Sequence, residues 1–271
     1  MSIHPSASVH PAAELGDGII IGPYAVVEAE VRLADRCRVG PFCVLKNGVQ
    51  LGEGVELDVG VVLGGEPQDL KYRGEASQVI IGAGCKLREY VTVNRGTSAH
   101  GKTLVGENGL IMAYAHIAHD CRVGKGVVIA NGVQMGGHVR IGDSAVVSGM
   151  TGIHQFVAIG AGAFIGGNLR VDKDIPPGIK ALGNPLRWGG LNVMGWERLG
   201  YPRECLGSIE TFYRILRKQG VESALAFWDI AGANNDDVSA RPARELARLF
   251  REFFGECRRG LLLRGDGPGL P

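Results

Sequence analysis

Stepping through the chain in sixes from Ile3 meets Val9, Leu15, Ile21, Val27, Leu33, Val39, Leu45, Leu51, Leu57 and Leu63, every one aliphatic. The phase returns at Ile81, Leu87 and Val93. It then runs unbroken from Val105 through Ile111, Ile117, Val123, Ile129, Met135, Ile141, Val147, Ile153, Ile159 and Ile165 to Val171. A helix repeats its apolar face every 3.6 residues and a half-buried strand every two, so a period of six satisfies neither. It fits a short strand followed by a corner. Three such units make one triangular coil, and residues 18 apart then stack along a parallel β-helix.

The other places of each hexad are restricted too. Glycine often follows the aliphatic residue, as at Gly16, Gly22, Gly40, Gly124, Gly142 and Gly160, and the fifth place takes small or β-branched residues such as Ala25, Val55, Ala115 and Ala163. The aliphatic side chain points into a narrow prism and the fifth place fills the remaining space. Glycine serves corners that need positive φ or close approach of one backbone to the next. This accounts for a chain with 43 glycines among 271 residues, against about 7 % in an average protein. Four of the six cysteines, Cys37, Cys43, Cys85 and Cys121, fall in the fifth place and read as reduced apolar fillers. No CxxC pair signals zinc or redox chemistry.

Two stretches break the register. Residues 64–80 lose the inward aliphatic at Asp69 and Glu75, and residues 96–104 lose it at Ala99; both read as loops thrown out of a coil. Asp174-Ile-Pro-Pro-Gly178 closes the prism. The expected organisation is a β-helix domain over 1–191 and a helical domain over 192–271, with amphipathic helical patterning around 203–219, 221–231 and 242–258. The end, Arg264 to Pro271, reads as frayed. A net charge of +1 gives no bulk attraction to nucleic acid. With no apolar run long enough to span a bilayer and no signal peptide, the chain reads as soluble and cytoplasmic.

Five of the seven histidines lie between residues 100 and 154. His119 and His138 occupy the third and fourth places of hexads in adjacent coils, so they project near one another, outward from a prism too narrow for imidazole. Two chemistries compete for such a cluster. One is metal binding; the other is general base catalysis by a neutral imidazole. Asp120 beside His119 is suited to orient it, but neighbours on a strand point to opposite faces, so the pairing requires a bend.

The hexad pattern resembles the hexapeptide-repeat proteins, which implies a left-handed parallel β-helix followed here by a small C-terminal α-helical domain, and a homotrimer. Within that group, carbonic anhydrases bind zinc with three histidines. Pro67-Gln-Asp-Leu-Lys-Tyr72, Ala115-His-Ile-Ala-His-Asp-Cys121 and Gly152-Ile-His-Gln-Phe156 resemble the UDP-N-acetylglucosamine O-acyltransferases of lipid A biosynthesis. Arg88–Gly96, Gly136-Gly-His138 and Asp174-Ile-Pro-Pro177 support the likeness.

That resemblance implies transfer of an (R)-3-hydroxyacyl group from acyl carrier protein to the glucosamine 3-position of UDP-N-acetylglucosamine, with no cofactor and no metal. It makes His119 the general base and the Gly137 N–H the oxyanion donor. Gln68, Asp69 and Lys71 would hold the sugar nucleotide from a neighbouring subunit. His116, His138, His154 and Gln155 would make further substrate contacts, and Asn192 and Arg198 would lie on the nucleotide side. Gly167 matches the position that limits acyl-chain length, and a glycine there implies a longer chain, with Phe164 and Arg170 close enough to shorten the slot. Arg203, Arg214, Arg217, Lys218, Arg244, Arg248 and Arg251 are candidates for a basic face toward the acidic carrier. The chain departs from the family pattern at Pro185, Met194 and Leu199, where histidine, glutamate and arginine are usual. Acyl-CoA as donor, or a 3-amino sugar as acceptor, is the alternative within the same chemistry.

Overall fold

The computed structural model describes residues 1–232 and 241–263; the frayed end expected from Arg264 onward lies outside the described residues. The strands are mostly two residues long, and those of the coils pair in parallel with a strand of the next coil, as Ile117 does with Met135 and Met135 with Ile153. They form three sheets of 11, 9 and 8 strands, here called the first, second and third faces in the order in which the chain visits them.

The hexad places take the expected burial. First-place Ile21, Leu45, Ile111 and Ile129 and fifth-place Ala25, Val55, Ala115 and Val127 are all buried in one continuous core. The four fifth-place cysteines are 0 % exposed and free. Each of their thiols donates to a backbone carbonyl, Cys121 to Gly136 at 3.2 Å for example. Burial pushes the Cys121 thiol up to about 12, so it stays protonated and unreactive.

The corners have a property that composition does not reveal. Among the described residues, twelve non-glycine residues have φ between 56° and 66°, and every one sits in the fourth place of a hexad: Tyr24, Arg36, Phe42, Tyr90, Asn108, Tyr114, Asp120, His138, Ser144, Met150, Phe156 and Asn168. This left-handed conformation costs on the order of 1 kcal/mol per residue with a Cβ. It is held by a repeated bond in which the fourth-place N–H donates to the third-place carbonyl one coil below, as Arg36 does to Asp17 at 2.7 Å and His138 to His119 at 3.0 Å. Second-place glycines answer a different demand. A Cβ on Gly142 would lie 2.4 Å from the Ala161 backbone nitrogen, so any side chain there would collide with the next coil.

Both loops leave from one corner, that between the second and third faces. The strands reclaim part of what the broken register assigned to loop. Val62–Gly65 and Gln78–Ile81 flank the first loop and Thr92–Asn94 and Lys102–Val105 the second, leaving 66–77 and 95–101. Backbone pairing persists after the inward aliphatic side chain is lost, which is why side-chain periodicity overstated them.

Beyond the coils, an antiparallel hairpin of Ile179–Leu182 and Arg187–Leu191 extends the first face. Helices α1 (Val193–Arg198), α2 (Leu206–Gln219), α3 (Val221–Gly232) and α4 (Arg241–Glu256) follow. The hairpin and α1 carry no six-residue or long amphipathic signal in the sequence. Phe212, Tyr213, Leu216, Trp228, Leu246 and Phe250 make the helical core, and the Tyr213 hydroxyl donates to the Pro177 carbonyl. Asp174 is a latch. One carboxylate oxygen accepts the Ala158 N–H at 2.7 Å, and the other accepts the Arg258 and Arg259 N–H groups at 2.8 and 2.7 Å, fastening the segment after α4 to the last coil.

Candidate active site

The histidines gather on the corner from which the loops depart. His119 is third in its hexad and Asp120 fourth, and Asp120 has φ 59°. That left-handed corner is the bend the pairing required. It folds the Asp120 carboxylate back so that its Oδ2 lies 2.8 Å from His119 Nδ1. Both residues are buried, at 8 % and 1 % exposure. His119 therefore projects out of the prism yet is covered by its neighbours. The Asp120 carboxylate also accepts the Thr97 amide at 3.0 and 3.2 Å and the Thr97 hydroxyl at 2.7 Å. Burial by itself raises this carboxyl, but the hydrogen bonds from His119 and Thr97 outweigh it and hold Asp120 below the ordinary aspartate value.

Gly137 stacks directly above His119. A Cβ on Gly137 would lie 2.5 Å from both Cε1 and Nε2 of that ring, so the imidazole lies across the glycine. At two other third-place amides a carboxylate from the next coil caps the N–H: Asp35 caps Asp17 at 2.9 Å and Asp143 caps Lys125 at 2.8 Å. The residue one coil above Gly137 is Gln155, and among the described residues the Gly137 N–H has no hydrogen-bond partner. A free donor thus sits beside the ring edge that Asp120 leaves open.

Around this pair lies a cleft of about 330 Å³, lined by Gln68, His116, Ala118, His119, Gly136, Gly137, His154 and Gln155 among others. Its floor is small because Ala118 and Gly136 occupy second places. His116 faces it from the second face. Its Nδ1 lies 2.7 Å from the Thr92 hydroxyl, while its Nε2 is buried without a partner. Burial, aided by the nearby His119, lowers its pKa and keeps the ring neutral. His138 stacks on Phe156 at 4.6 Å and meets His119 and His100 edge-on at 5.1 and 5.6 Å. Burial is also the main reason its pKa falls, with His119 and His100 adding to the effect and Asp120 and Asp69 opposing it.

Six of the expected site residues therefore share one cleft: Gln68, His116, His119, Gly137, His154 and Gln155. Gln68, expected to reach in from a neighbouring subunit, lines the cleft of its own chain because the 66–77 loop leaves from the same corner as His119. His138 borders it. Lys71 is exposed on the 66–77 loop, where its N–H donates to Asp69 Oδ1 at 2.9 Å. Three expected residues lie elsewhere on the chain. Gly167 is exposed beside the corner between the first and second faces, with a Cβ there 3.3 Å from the Gly149 carbonyl. Asn192 is buried and donates to the Gly162 carbonyl at 2.8 Å on the corner between the third and first faces, and exposed Arg198 lies at the end of α1.

Thr97, Thr92 and Phe156 belong to the site and carried no separate signal. Thr97 sits where the register is lost, and the other two are ordinary residues at strand and corner places. His119, Asp120 and His138 present ligand atoms within 4.8 Å of one another, a grouping that could hold a metal ion. Against that use, the Asp120 carboxylate is already engaged by Thr97 and His119.

Comparison with known proteins identifies relatives of this chain. Residues 102–137 match the family described as bacterial transferase hexapeptide (six repeats), and residues 174–262 match UDP-N-acetylglucosamine O-acyltransferase, domain 2. An acyl-[acyl-carrier-protein]–UDP-N-acetylglucosamine O-acyltransferase of Paraburkholderia phymatum is 37 % identical over 96 % of this chain and 98 % of its own. The protein of the same name from Trichlorobacter lovleyi is 52 % identical over 80 % and 84 %. The solved UDP-N-acetylglucosamine acyltransferase of Francisella novicida superposes with a TM-score of 0.86 at 31 % identity, over 96 % of this chain and 93 % of that one. The left-handed β-helix with a small helical C-terminal part is the fold shared across these proteins. With a repeat, a histidine corner and near full-length relatives in agreement, this chain belongs to the UDP-N-acetylglucosamine O-acyltransferase family.

Proposed function

We propose that this protein transfers an (R)-3-hydroxyacyl chain from acyl carrier protein to the 3-hydroxyl of the glucosamine unit of UDP-N-acetylglucosamine, the first step of lipid A biosynthesis. The names of its relatives supply the substrates. The observation that carries the mechanism is the arrangement of His119, anchored through Nδ1 on Asp120 and lying across Gly137, whose N–H is unpaired among the described residues. Nε2 of the neutral imidazole removes the proton of the sugar hydroxyl, and the oxygen attacks the thioester carbonyl. The Gly137 N–H donates to the oxyanion that forms. As the intermediate collapses, the C–S bond breaks and the imidazolium returns its proton to the departing thiolate. Asp120 stabilises the imidazolium while it exists. The unpartnered Nε2 of His116 and the side chains of His138, His154, Gln155 and Gln68 bind the substrates in the cleft. Asp69 and Lys71 hold the sugar nucleotide, the lysine as a point charge for phosphate.

The working unit is a homotrimer with sites between copies. Gly167, Asn192 and Arg198 lie on other corners than His119, so one chain does not bring them together. The corner between the first and second faces presents an apolar row for a second copy: Tyr24, Phe42, Tyr90, Tyr114 and Met150 are 49–70 % exposed, a continuity unusual for a free surface. The 1–191 and 192–271 parts act as scaffold and cap of this unit. Among the described residues no helix is long and apolar enough to cross a membrane.

The test is transfer from hydroxyacyl carrier proteins of several chain lengths, and from acyl-CoA, to UDP-N-acetylglucosamine and its 3-amino analogue. His119→Ala should lower kcat by about 10²–10⁴-fold while the protein still folds. Unchanged transfer by this variant would remove His119 as the base, and no transfer from carrier protein by the native protein would sink the assignment. The grouping of His119, Asp120 and His138 favours one other reading, zinc-dependent hydration of carbon dioxide; activity abolished by chelators would support it.

A further inference from the structure

The 95–101 loop has no part in the chemistry just described, yet one of its buried residues, Thr97, faces the site. Thr97 is 7 % exposed and spends both of its donors on one carboxylate, that of Asp120. Its hydroxyl oxygen accepts the Ala99 N–H at 3.2 Å, and its carbonyl accepts the Gly101 N–H at 2.7 Å. The side chain is therefore locked by its own loop. On the outer side, the Ser98 N–H donates to Glu75 Oε1 at 3.0 Å. Glu75 belongs to the 66–77 loop, where its Oε2 accepts the Arg73 N–H at 2.9 Å and its carbonyl accepts the Tyr72 hydroxyl at 3.3 Å. Two turns of the same loop, Lys71 N–H to Asp69 Oδ1 and Tyr72 N–H to the Asp69 carbonyl at 3.0 Å, place the residues proposed to hold the sugar nucleotide.

From this geometry we infer that Thr97 is a positioning residue for the His119–Asp120 pair, and that the chain Glu75–Ser98–Thr97–Asp120 couples the sugar-nucleotide loop to the base. The inference rests on the acyltransferase reading for what the base does, but not for the connection itself. An aspartate beside a histidine can turn away from it. Three bonds from one threonine remove that freedom, and because charge-assisted bonds are the stronger kind, the carboxylate stays aimed at Nδ1. The 66–77 loop reaches Thr97 through Glu75 and Ser98, so ordering of that loop by a bound nucleotide sugar also orders the base. The groups facing Asp120 besides Thr97 are His119 and, at 3.9 Å, His138. His138 is itself edged by His100.

Three variants separate the parts. Thr97→Val keeps the shape and the amide donor and removes the hydroxyl. It should lower kcat about tenfold, since a hydrogen bond to a charged group is lost, with KM for UDP-N-acetylglucosamine unchanged. Thr97→Ser should restore most of kcat. Glu75→Ala should lower kcat and also raise KM for the nucleotide sugar, because it frees the loop as well as Thr97. Thermal unfolding of each variant reports whether folding is preserved. Proton NMR of ¹⁵N-histidine-labelled protein reads the connection without any turnover: the Nδ1–H signal of His119 should shift in Thr97→Val and return in Thr97→Ser. Native transfer combined with an unchanged kcat and an unchanged His119 signal in Thr97→Val would overturn the inference. A native protein without transfer would overturn the acyltransferase reading and leave the NMR result to decide the positioning role alone.

Discussion

The corner between the first and second faces and the corner between the second and third are built from the same hexad, with the same left-handed fourth-place residue near φ 60°. The first carries Tyr24 stacked on Phe42 at 5.2 Å and Tyr90 stacked on Tyr114 at 5.3 Å, all exposed and apolar. The second carries Asp120, His138 and Phe156, wrapped by two loops, with the Asp120 carboxylate hydrogen-bonded to both Thr97 and His119. The backbone imposes close stacking of whatever stands in the fourth place. Aromatic rings stacked in this way make a surface for another molecule, whereas an aspartate and a histidine stacked above a third-place histidine make a proton-handling site. Solvent exclusion is the remaining difference, and the loops supply it at one corner only.

The most severe way to break the contrast is Gly137→Ala. The backbone there tolerates a side chain, since φ is not positive, but the new methyl occupies the position of the His119 ring. Both the base and the oxyanion donor are displaced, so kcat should fall by about 10²–10³-fold with little change in melting temperature; steady-state kinetics with calorimetry checks this. Next is Asp120→Asn, which keeps the corner and removes the charge that stabilises the imidazolium. A loss of about 10²-fold in kcat is expected, with KM for the sugar nucleotide retained.

Changing Tyr90 and Tyr114 to Ser at the other corner should leave the rate per assembled site intact. It should cost about 1 kcal/mol for the stacked pair and shift sedimentation toward smaller species. Activity that falls with dilution in this variant would tie the aromatic corner to assembly of the site; an unchanged sedimentation profile would refute its role as an interface.

The smallest effect is a difference in response to pH. His116 and His138 have pKa values below the ordinary histidine value in the folded state, so the unfolded chain takes up protons first. Their stabilisation is complete above the ordinary histidine value and declines as pH falls from there toward their lower folded values. Asp120, also lowered, loses its contribution only below the ordinary aspartate range. Hydrogen exchange compared at about pH 7 and about pH 5 should therefore show loosening at the histidine corner and none at the aromatic one.

Much of this was legible because a six-residue period leaves few alternatives. The coil, the inward row, the fillers at Cys37, Cys43, Cys85 and Cys121 and the proximity of His119 to His138 all follow from counting. Both loops are shorter than the side-chain pattern implies, because that pattern ends before backbone pairing does. Helices α2, α3 and α4 were foreseen from their apolar stripes, while α1 and the hairpin lack any such stripe. In the site, six of the expected residues meet in one cleft. Thr97 was not legible, since the repeat that assigns a place to each residue stops before it.

What the sequence determined by itself is the repeat and everything that depends only on separation along the chain. Residues 18 apart must stack, so Gly137 had to lie over His119 and His138 over Asp120. What only the tertiary structure decided is orientation. Whether Asp120 turns toward His119 depends on a φ of 59° at that corner and on a threonine 23 residues away that holds its carboxylate. Periodicity reports which residues are neighbours, because it is a property of spacing. It cannot report where a side chain points once it leaves the strand, because that is set by hydrogen bonds between segments that share no register.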